Sequence, residues 1–427
     1  MVDDIRPRPK EPADDENKKG VSEQFPGIKP DPEESIASIS LANDDSGGIQ
    51  AASPRHKYQP PKTDKKTPPK SWKEKFFSRG LTVWPHTDKQ KKIGIAIVAV
   101  LLVFGSITAY ALNKIANRPY EISPSYVVFK PKTSEPSRLT GVEIPIKLNK
   151  RHVTSVMIEN SPDARPQSGL YDAGVVFEAI AEGGITRFNA LYLEDRPGYI
   201  GPIRSVRPYY VDMIFPFDPA FVHAGGSGEG LAKVARLKVK DIDHGANAEA
   251  FQRISSRFAP HNLYSSMDAL DKVSKKRGYK KSTFESWPRL KKESPADKIT
   301  AGNINFSISG PLYDVKYDYD KGSNSYERIM AGRPHMDERA KKQIKPKVVI
   351  ALIMNYHQNG IYSVYKTTGS GNMFVFQNGE VIKGKWKKSG VKSQIKFTDN
   401  KGEPILLNPG QTWVTLLKSS GEVKFSP

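Results

Sequence analysis

The sequence predicts an α+β fold behind one transmembrane helix, an N-terminal α/β-type mixed domain followed by a mostly β C-terminal domain. Three observations carry that expectation. Residues 93–112 form an apolar run without a single charge, and as a helix this run spans about 30 Å, the hydrocarbon thickness of a bilayer. Between 141 and 285, strand-length apolar runs alternate with helix-length ones. From 301 onward nearly every apolar run has strand length and ends at a turn signal such as Asn378-Gly379 or Asn408-Pro409-Gly410.

Residues 1–92 are rich in Pro, Asp, Glu, Ser and Lys and poor in aliphatic side chains before Leu81. Such a stretch buries too little apolar surface to offset its chain entropy, so a disordered tail is expected. Its last third interleaves Lys with Trp72, Phe76, Phe77 and Trp84, a pattern suited to an anionic inner leaflet. Lys89, Lys91 and Lys92 precede the apolar run, and Lys114 and Arg118 follow it. Positive-inside bias then places the N-terminus in the cytoplasm and the C-terminal domains outside, as a single-pass protein of the cell membrane. Ala109-Tyr110-Ala111 also resembles a signal-peptidase site, so cleavage after Ala111 is the alternative to a retained anchor.

Beyond the helix (93–112), a polar stalk is expected over 113–140. A first domain is expected over 141–285, with strands near 153–158, 175–181, 186–193 and 220–223 and helices near 209–214, 231–237 and 267–277. A basic linker covers 286–300. A β-rich domain follows over 301–427, with strands near 304–308, 348–354, 361–367, 373–377, 395–397 and 413–417. A chain of 427 residues exceeds the roughly 250–300 that one core usually organises.

The formal net charge is +20. Much of that excess lies in the outer region, which is therefore drawn to anionic neighbours: wall polymers or lipid head groups, with nucleic acid less favoured. The chain has no cysteine. That excludes disulfides, thiolate metal sites, a cysteine nucleophile and lipid attachment through an N-terminal Cys. His223, His244 and His261 show no metal-ligand spacing, so neither metal nor cofactor is expected.

Four polar runs could carry chemistry. In the first, Gly183-Gly184 suits a two-residue hairpin turn. That turn would set Glu182 opposite Ile185, Ile180 opposite Arg187 and Glu178 opposite Asn189. Glu178, Glu182, Arg187 and Asn189 would then share one face, with Arg187 between two carboxylates about 13 Å apart. That separation is too long for a glycosidase pair, which needs about 5–9.5 Å. The second run is Gly201-Pro-Ile-Arg-Ser-Val-Arg-Pro-Tyr-Tyr. Ser205 is read as a helix N-cap, and Arg204 and Arg207 flank a helix start where an anion is favoured. Third, Phe221-Val-His-Ala-Gly-Gly-Ser-Gly-Glu-Gly-Leu reads as strand, glycine loop and helix. It offers His223 and Ser227 but matches neither phosphate-loop spacing. Fourth, Arg257-Phe-Ala-Pro-His-Asn-Leu-Tyr places His261 and Asn262 in a polar turn beside Arg257. Each run also has a bland reading: salt-bridge ladders, a satisfied core histidine, an ordinary turn.

Together with Ala164-Arg-Pro-Gln-Ser-Gly-Leu, Gly332-Arg-Pro-His-Met-Asp, Gly384-Lys-Trp and Leu407-Asn-Pro-Gly-Gln-Thr-Trp, these runs resemble the YerB-like family of bacterial envelope proteins. The resemblance covers about residues 138–420. It implies an extracytoplasmic, two-domain protein, lipoprotein-type in many members, with no established activity. Without cysteine, the helix here would take the place of the lipid. The resemblance also implies that the polar runs form one shared surface.

The primary expectation is thus a binding module. Arg165, Arg187, Arg204, Arg207 and Arg257, with Ser205, Ser227, His261 and Asn262, would hold an anionic envelope ligand such as a phosphate-bearing polymer, and Glu178 and Glu182 would orient the guanidinium groups. A hydrolase with Glu182, His261 or His223 as acid/base group, or an envelope scaffold, are the alternatives.

Overall fold

The computed structural model describes residues 88–117 and 132–427. These fall into two units, Met1–Ile122 and Ser123–Pro427. The expected tail up to residue 87 and stalk residues 118–131 lie outside the described residues.

The described part of the first unit is one helix, α1 (Asp88–Ala116). Its stretch Lys91–Ala116 is long and apolar enough to cross a membrane. Ile95, Leu101, Leu102 and Phe104 are all exposed. An apolar surface on every side of so long a helix is compatible with a bilayer span. Thr108 Oγ1 returns its proton to Phe104 O at 2.7 Å, which satisfies a polar group without water.

In the second unit ten strands form one sheet. They are β1 (Thr154–Glu159), β2 (Val175–Ile180), β3 (Thr186–Tyr192), β4 (Ala220–His223), β5 (Lys240–Asp243), β6 (Val348–Ile353), β7 (Gly369–Gln377), β8 (Glu380–Lys388), β9 (Lys396–Asp399) and β10 (Thr412–Leu417). Their spatial order is β9-β8-β7-β6-β10-β2-β3-β1-β4-β5. Strand β10 runs parallel to β6 on one side and to β2 on the other, with Trp413 opposite Val176 and Thr415 opposite Glu178. A mixed α/β N-terminal region and a mostly β C-terminal region are present, joined edge to edge through β10. The boundary expected at 286–300 therefore separates two stretches of sequence that share their cores.

Both faces of this sheet are covered. One face packs Val156, Ile158, Val176, Ile180 and Phe188 against α4 (Met267–Lys276) and a second sheet of five strands: Asn303–Phe306, Val315–Asp320, Ser325–Met330, Arg333–Pro334 and Val423–Ser426. The other packs Phe177, Ala179, Val375 and Trp386 against α2 (Pro208–Ile214) and α3 (Gly228–Leu237). Every residue of β2 and β3 is buried, so apolar alternation marks no inner face there.

That double burial corrects the expected hairpin register. Ile180 lies opposite Thr186, Ala179 opposite Arg187 and Glu178 opposite Phe188. The turn has three residues, not two: Ala181 N donates to Ile185 O at 2.7 Å across Glu182, Gly183 and Gly184. Both glycines take positive φ, 57° and 80°, which side-chain-bearing residues rarely adopt. A slip of one residue inverts every side chain. Glu178 therefore faces the five-stranded sheet, and Arg187 faces the opposite way.

Candidate functional site

Residues 203–207 form a rail stitched between the end of β1 and the loop after β4. Arg204 N donates to Met157 O at 3.0 Å, Ala224 N to Arg204 O at 3.1 Å, and Val206 N to Gly225 O at 3.0 Å. Gly226 of that loop and Gly230 in the first turn of α3 serve this packing. A Cβ on Gly226 would collide with Val206 Cγ1, and one on Gly230 would come within 3.1 Å of Val206 O. The expected anion cradle is thus a close-approach loop. Ser227 caps α3, its Oγ accepting from Gly230 N at 3.2 Å. Ser205 is not an N-cap. Arg207 holds that place before α2, with Pro208 as the first helical residue.

The fixed rail sends two arginines to two carboxylates. Arg207 reaches Glu182 Oε2 through Nε at 3.0 Å and Nη2 at 2.7 Å. The other oxygen of Glu182 accepts from Arg187 Nη2. Arg187 Nη1 donates to Ser205 O at 3.0 Å, and its Nε is buried without an acceptor. Burial, and secondarily the neighbouring Arg187, lower the Arg207 guanidinium from its ordinary value. The Tyr362 ring centroid lies 5.6 Å from that guanidinium.

At the rail's other end, Arg204 Nε lies 3.2 Å from Glu159 Oε1. The same oxygen meets His261 Nδ1 at 3.0 Å and accepts from Ser161 Oγ at 2.9 Å. Glu159 Oε2 is buried with no donor. Glu159 also sits opposite Arg187 in the β1–β3 ladder, so the two ends lie side by side, and across them three guanidinium groups face two carboxylates. Beside Arg207 opens a pocket of about 660 Å³ lined by Ser227, Lys233, Asp212, Tyr362 and Tyr365 among others.

The remaining expected site residues lie elsewhere or are fully engaged. Glu178 has no exposure and is bound on the opposite face to Arg328 Nη2, 3.0 Å from each oxygen, and to Trp413 Nε1 at 2.9 Å. It cannot orient the site arginines. Arg257 Nη1 and Nη2 donate to Ala164 O and Pro166 O, both at 2.8 Å, and so pin a loop. Arg165 grips Asn160 through Oδ1 at 3.0 Å and O at 2.9 Å. Asn262 joins Arg253 at 2.7 Å to Ile254 O at 3.0 Å. His223 is buried with both ring nitrogens engaged, Asp241 Oδ1 and Gly225 O each at 2.9 Å, and so is a core residue. Sequence reading missed Glu159, Tyr362 and Lys233. Glu159 closes a buried strand before Asn160-Ser161, a charge at a strand end that could have been found. Tyr362 comes from a distant hairpin and left no local signal.

The described residues match two family profiles, the DUF3048 N-terminal domain over residues 139–280 and the DUF3048 C-terminal domain over 304–414. YerB of Bacillus subtilis (strain 168), named as a candidate lipoprotein, is 32% identical over 287 residues, covering 65% of this chain and 85% of that protein. The chain belongs to the YerB-like family. The crystal structure of YerB from the same organism superposes with a TM-score of 0.62 at 27% identity, over 68% of this chain and 99% of that one. Family membership and one apolar helix agree with a membrane-anchored envelope protein.

Proposed function

We propose that the Ser123–Pro427 unit is the extracytoplasmic part of a single-pass membrane protein and binds an anionic envelope ligand at residues 203–207. One observation carries the reading: three guanidinium groups share two carboxylates, and a buried Arg187 N–H lacks an acceptor. Partly buried cations in excess of their partners are stabilised by an external anion, and arginine forks suit phosphate or carboxylate. Arg204, the most exposed of the three with 27% of its side chain accessible, is the contact a ligand meets first.

The test is inorganic phosphate binding to the full chain in detergent, followed calorimetrically at low salt. Arg204→Ala should weaken binding at least tenfold while the melting temperature stays within about 2 °C. Equal binding by wild type and variant, or no binding by either, rejects the site. Orientation is tested separately: a reporter fused after residue 60 should be active only in the cytoplasm.

A second reading rests on the Glu159–His261 pair. A carboxylate on Nδ1 fixes the imidazole and leaves Nε2, on a 23%-exposed side chain, as the outward nitrogen, the posture of an acid/base group. Glu182 does not share that role, since two arginines hold its carboxylate. Hydrolysis of bis(p-nitrophenyl) phosphate by wild type and not by His261→Ala would favour this reading over simple binding.

A further inference from the structure

The far end of the large sheet is built unlike its middle. Lys383, Lys385 and Lys387 are exposed and alternate along β8, so they stand on one face about 6.7 Å apart. Lys387 lies directly opposite Lys396 of β9, and Lys385 opposite Thr398. On the other side Lys385 and Lys387 face Asn372 and Ser370 of β7. This face of the three strands carries four lysines and no carboxylate. Around it, Lys385 donates to Asn372 at 2.7 Å, and only Lys396 has an acid within ion-pair range, Glu285 at 3.7 Å with both side chains about two-thirds exposed. Like charges set directly opposite one another destabilise a sheet. Lysine along an edge strand alone would suffice to block edge pairing. Here β8 is an inner strand, and its lysines stand on the face, where edge protection gives no reason for them.

We propose that this lysine face is a second, separate docking surface, and that its occupant is a linear phosphodiester polymer lying along β8. Charge complementarity selects a polyanion. The single file of ammonium groups, spaced near one repeat of an extended phosphodiester backbone, selects a chain over an isolated ion. Serine, asparagine and threonine hydroxyls and amides alongside supply further donors to phosphate oxygens. A bilayer surface fits less well, because interfacial binding inserts aromatic or aliphatic side chains among the lysines. The aromatics nearest the lysines, Phe374 opposite Lys383 and Phe425 beneath its ammonium at 5.6 Å, are half-buried and packed against the core, and the exposed large hydrophobic residues of this unit, such as Phe258, Leu312 and Ile361, lie elsewhere in the chain. The surface involves none of Arg187, Arg204 or Arg207, so it stands or falls apart from the arginine site.

The experiment uses the full chain in detergent with linear inorganic polyphosphate as probe, titrated at several salt concentrations. Releasing counterions from a polyanion makes affinity fall with salt, by roughly 0.7–0.9 in log–log slope per contact for nucleic acids. The combined substitution Lys383→Gln, Lys385→Gln, Lys387→Gln and Lys396→Gln should therefore lower affinity at least tenfold and flatten the slope by about 3. A charge-matched control, Lys275→Gln, Lys276→Gln, Lys291→Gln and Lys292→Gln, should keep most of the affinity. Equal losses in the control would show that net charge alone acts, which overturns the proposal. So would unchanged binding by the fourfold variant. Binding to phosphatidylglycerol vesicles that depends on these lysines, without polyphosphate binding, would overturn it in favour of a lipid surface.

Discussion

Glu178 and Glu182 lie four residues apart in one hairpin and meet arginine in opposite ways. Glu178 enters a closed network under the five-stranded sheet. Both it and Arg328 are wholly buried, the guanidinium lies 4.2 Å from the Trp413 ring, and Arg328 Nε donates to His335 Nδ1 at 2.9 Å. His335 Nε2 in turn meets Gln167 Oε1 at 2.9 Å. Burial, then Arg328 and Arg165, push His335 well below the ordinary histidine range, so the ring is neutral: one nitrogen accepts from Arg328 and the other donates to Gln167. Glu182 sits at the turn, one-fifth exposed, and shares its two oxygens between Arg187 and Arg207 while one buried N–H goes unmet. The first arrangement satisfies every guanidinium direction it shows and clamps the two family regions together. The second leaves capacity for something external. The same pairing of residue types is structural where the donors are matched and a candidate site where they are not.

The largest effect should come from opening the closed network. Arg328→Met removes the counter-ion of Glu178 in the core, which costs about 3–5 kcal/mol, read as a fall in the urea midpoint. Adding Glu178→Gln should recover part of that loss, since partners in contact are not additive. No recovery would mean that the two residues act independently and that the network is not a unit.

Acid should loosen the same network. His335 is neutral when folded but takes a proton near 6.5 when unfolded. Stability is therefore full above pH 6.5 and declines as pH falls below it, by up to about 1.4 kcal/mol per pH unit. Urea midpoints of wild type and His335→Gln, compared at pH 7.5 and pH 5, should show this extra slope in the wild type alone.

Arg207→Ala should cost less, about 1–2 kcal/mol, because Glu182 keeps Arg187 as a charged donor. It should also weaken phosphate binding. Arg207 is thus expected to affect stability and binding together, whereas Arg204 affects binding alone. A melting temperature unchanged by Arg207→Ala would place that side chain wholly in the open site.

The sequence marks α1, β2, β3, β4 and the helices α2, α3 and α4 well, because length, caps and breakers are local. It misplaces the hairpin by one residue, since Gly183-Gly184 fits a two-residue turn as readily as the last two residues of a three-residue one. Double burial of β2 and β3 then removes the alternation that would have corrected it. Strand β8 escapes notice because its lysines make it look like a solvated loop. Arg328 escapes too, although a signal exists: Tyr326, Arg328 and Met330 share one period-two face, and an arginine among inward side chains calls for a buried counter-ion. The role of His223 is not legible in its own segment, because its carboxylate partner Asp241 lies on β5, across a crossover that local pattern does not reveal.

The parallel pairing of β10 with β2 also dictates a timetable. A chain made from its N-terminus completes β2 and β3 long before β10 emerges, since β10 begins at Thr412. At about 5–20 residues per second, the wait between Ile180 and Thr412 is on the order of 10–50 s. Throughout it one side of β2 has no neighbour to accept its backbone bonds, and Glu178 lacks Trp413, with Arg328 absent as well until residue 328 is made. An unpaired apolar strand edge invites foreign strands, so a nascent chain interrupted before Leu417 should be the species that chaperones hold and proteases remove.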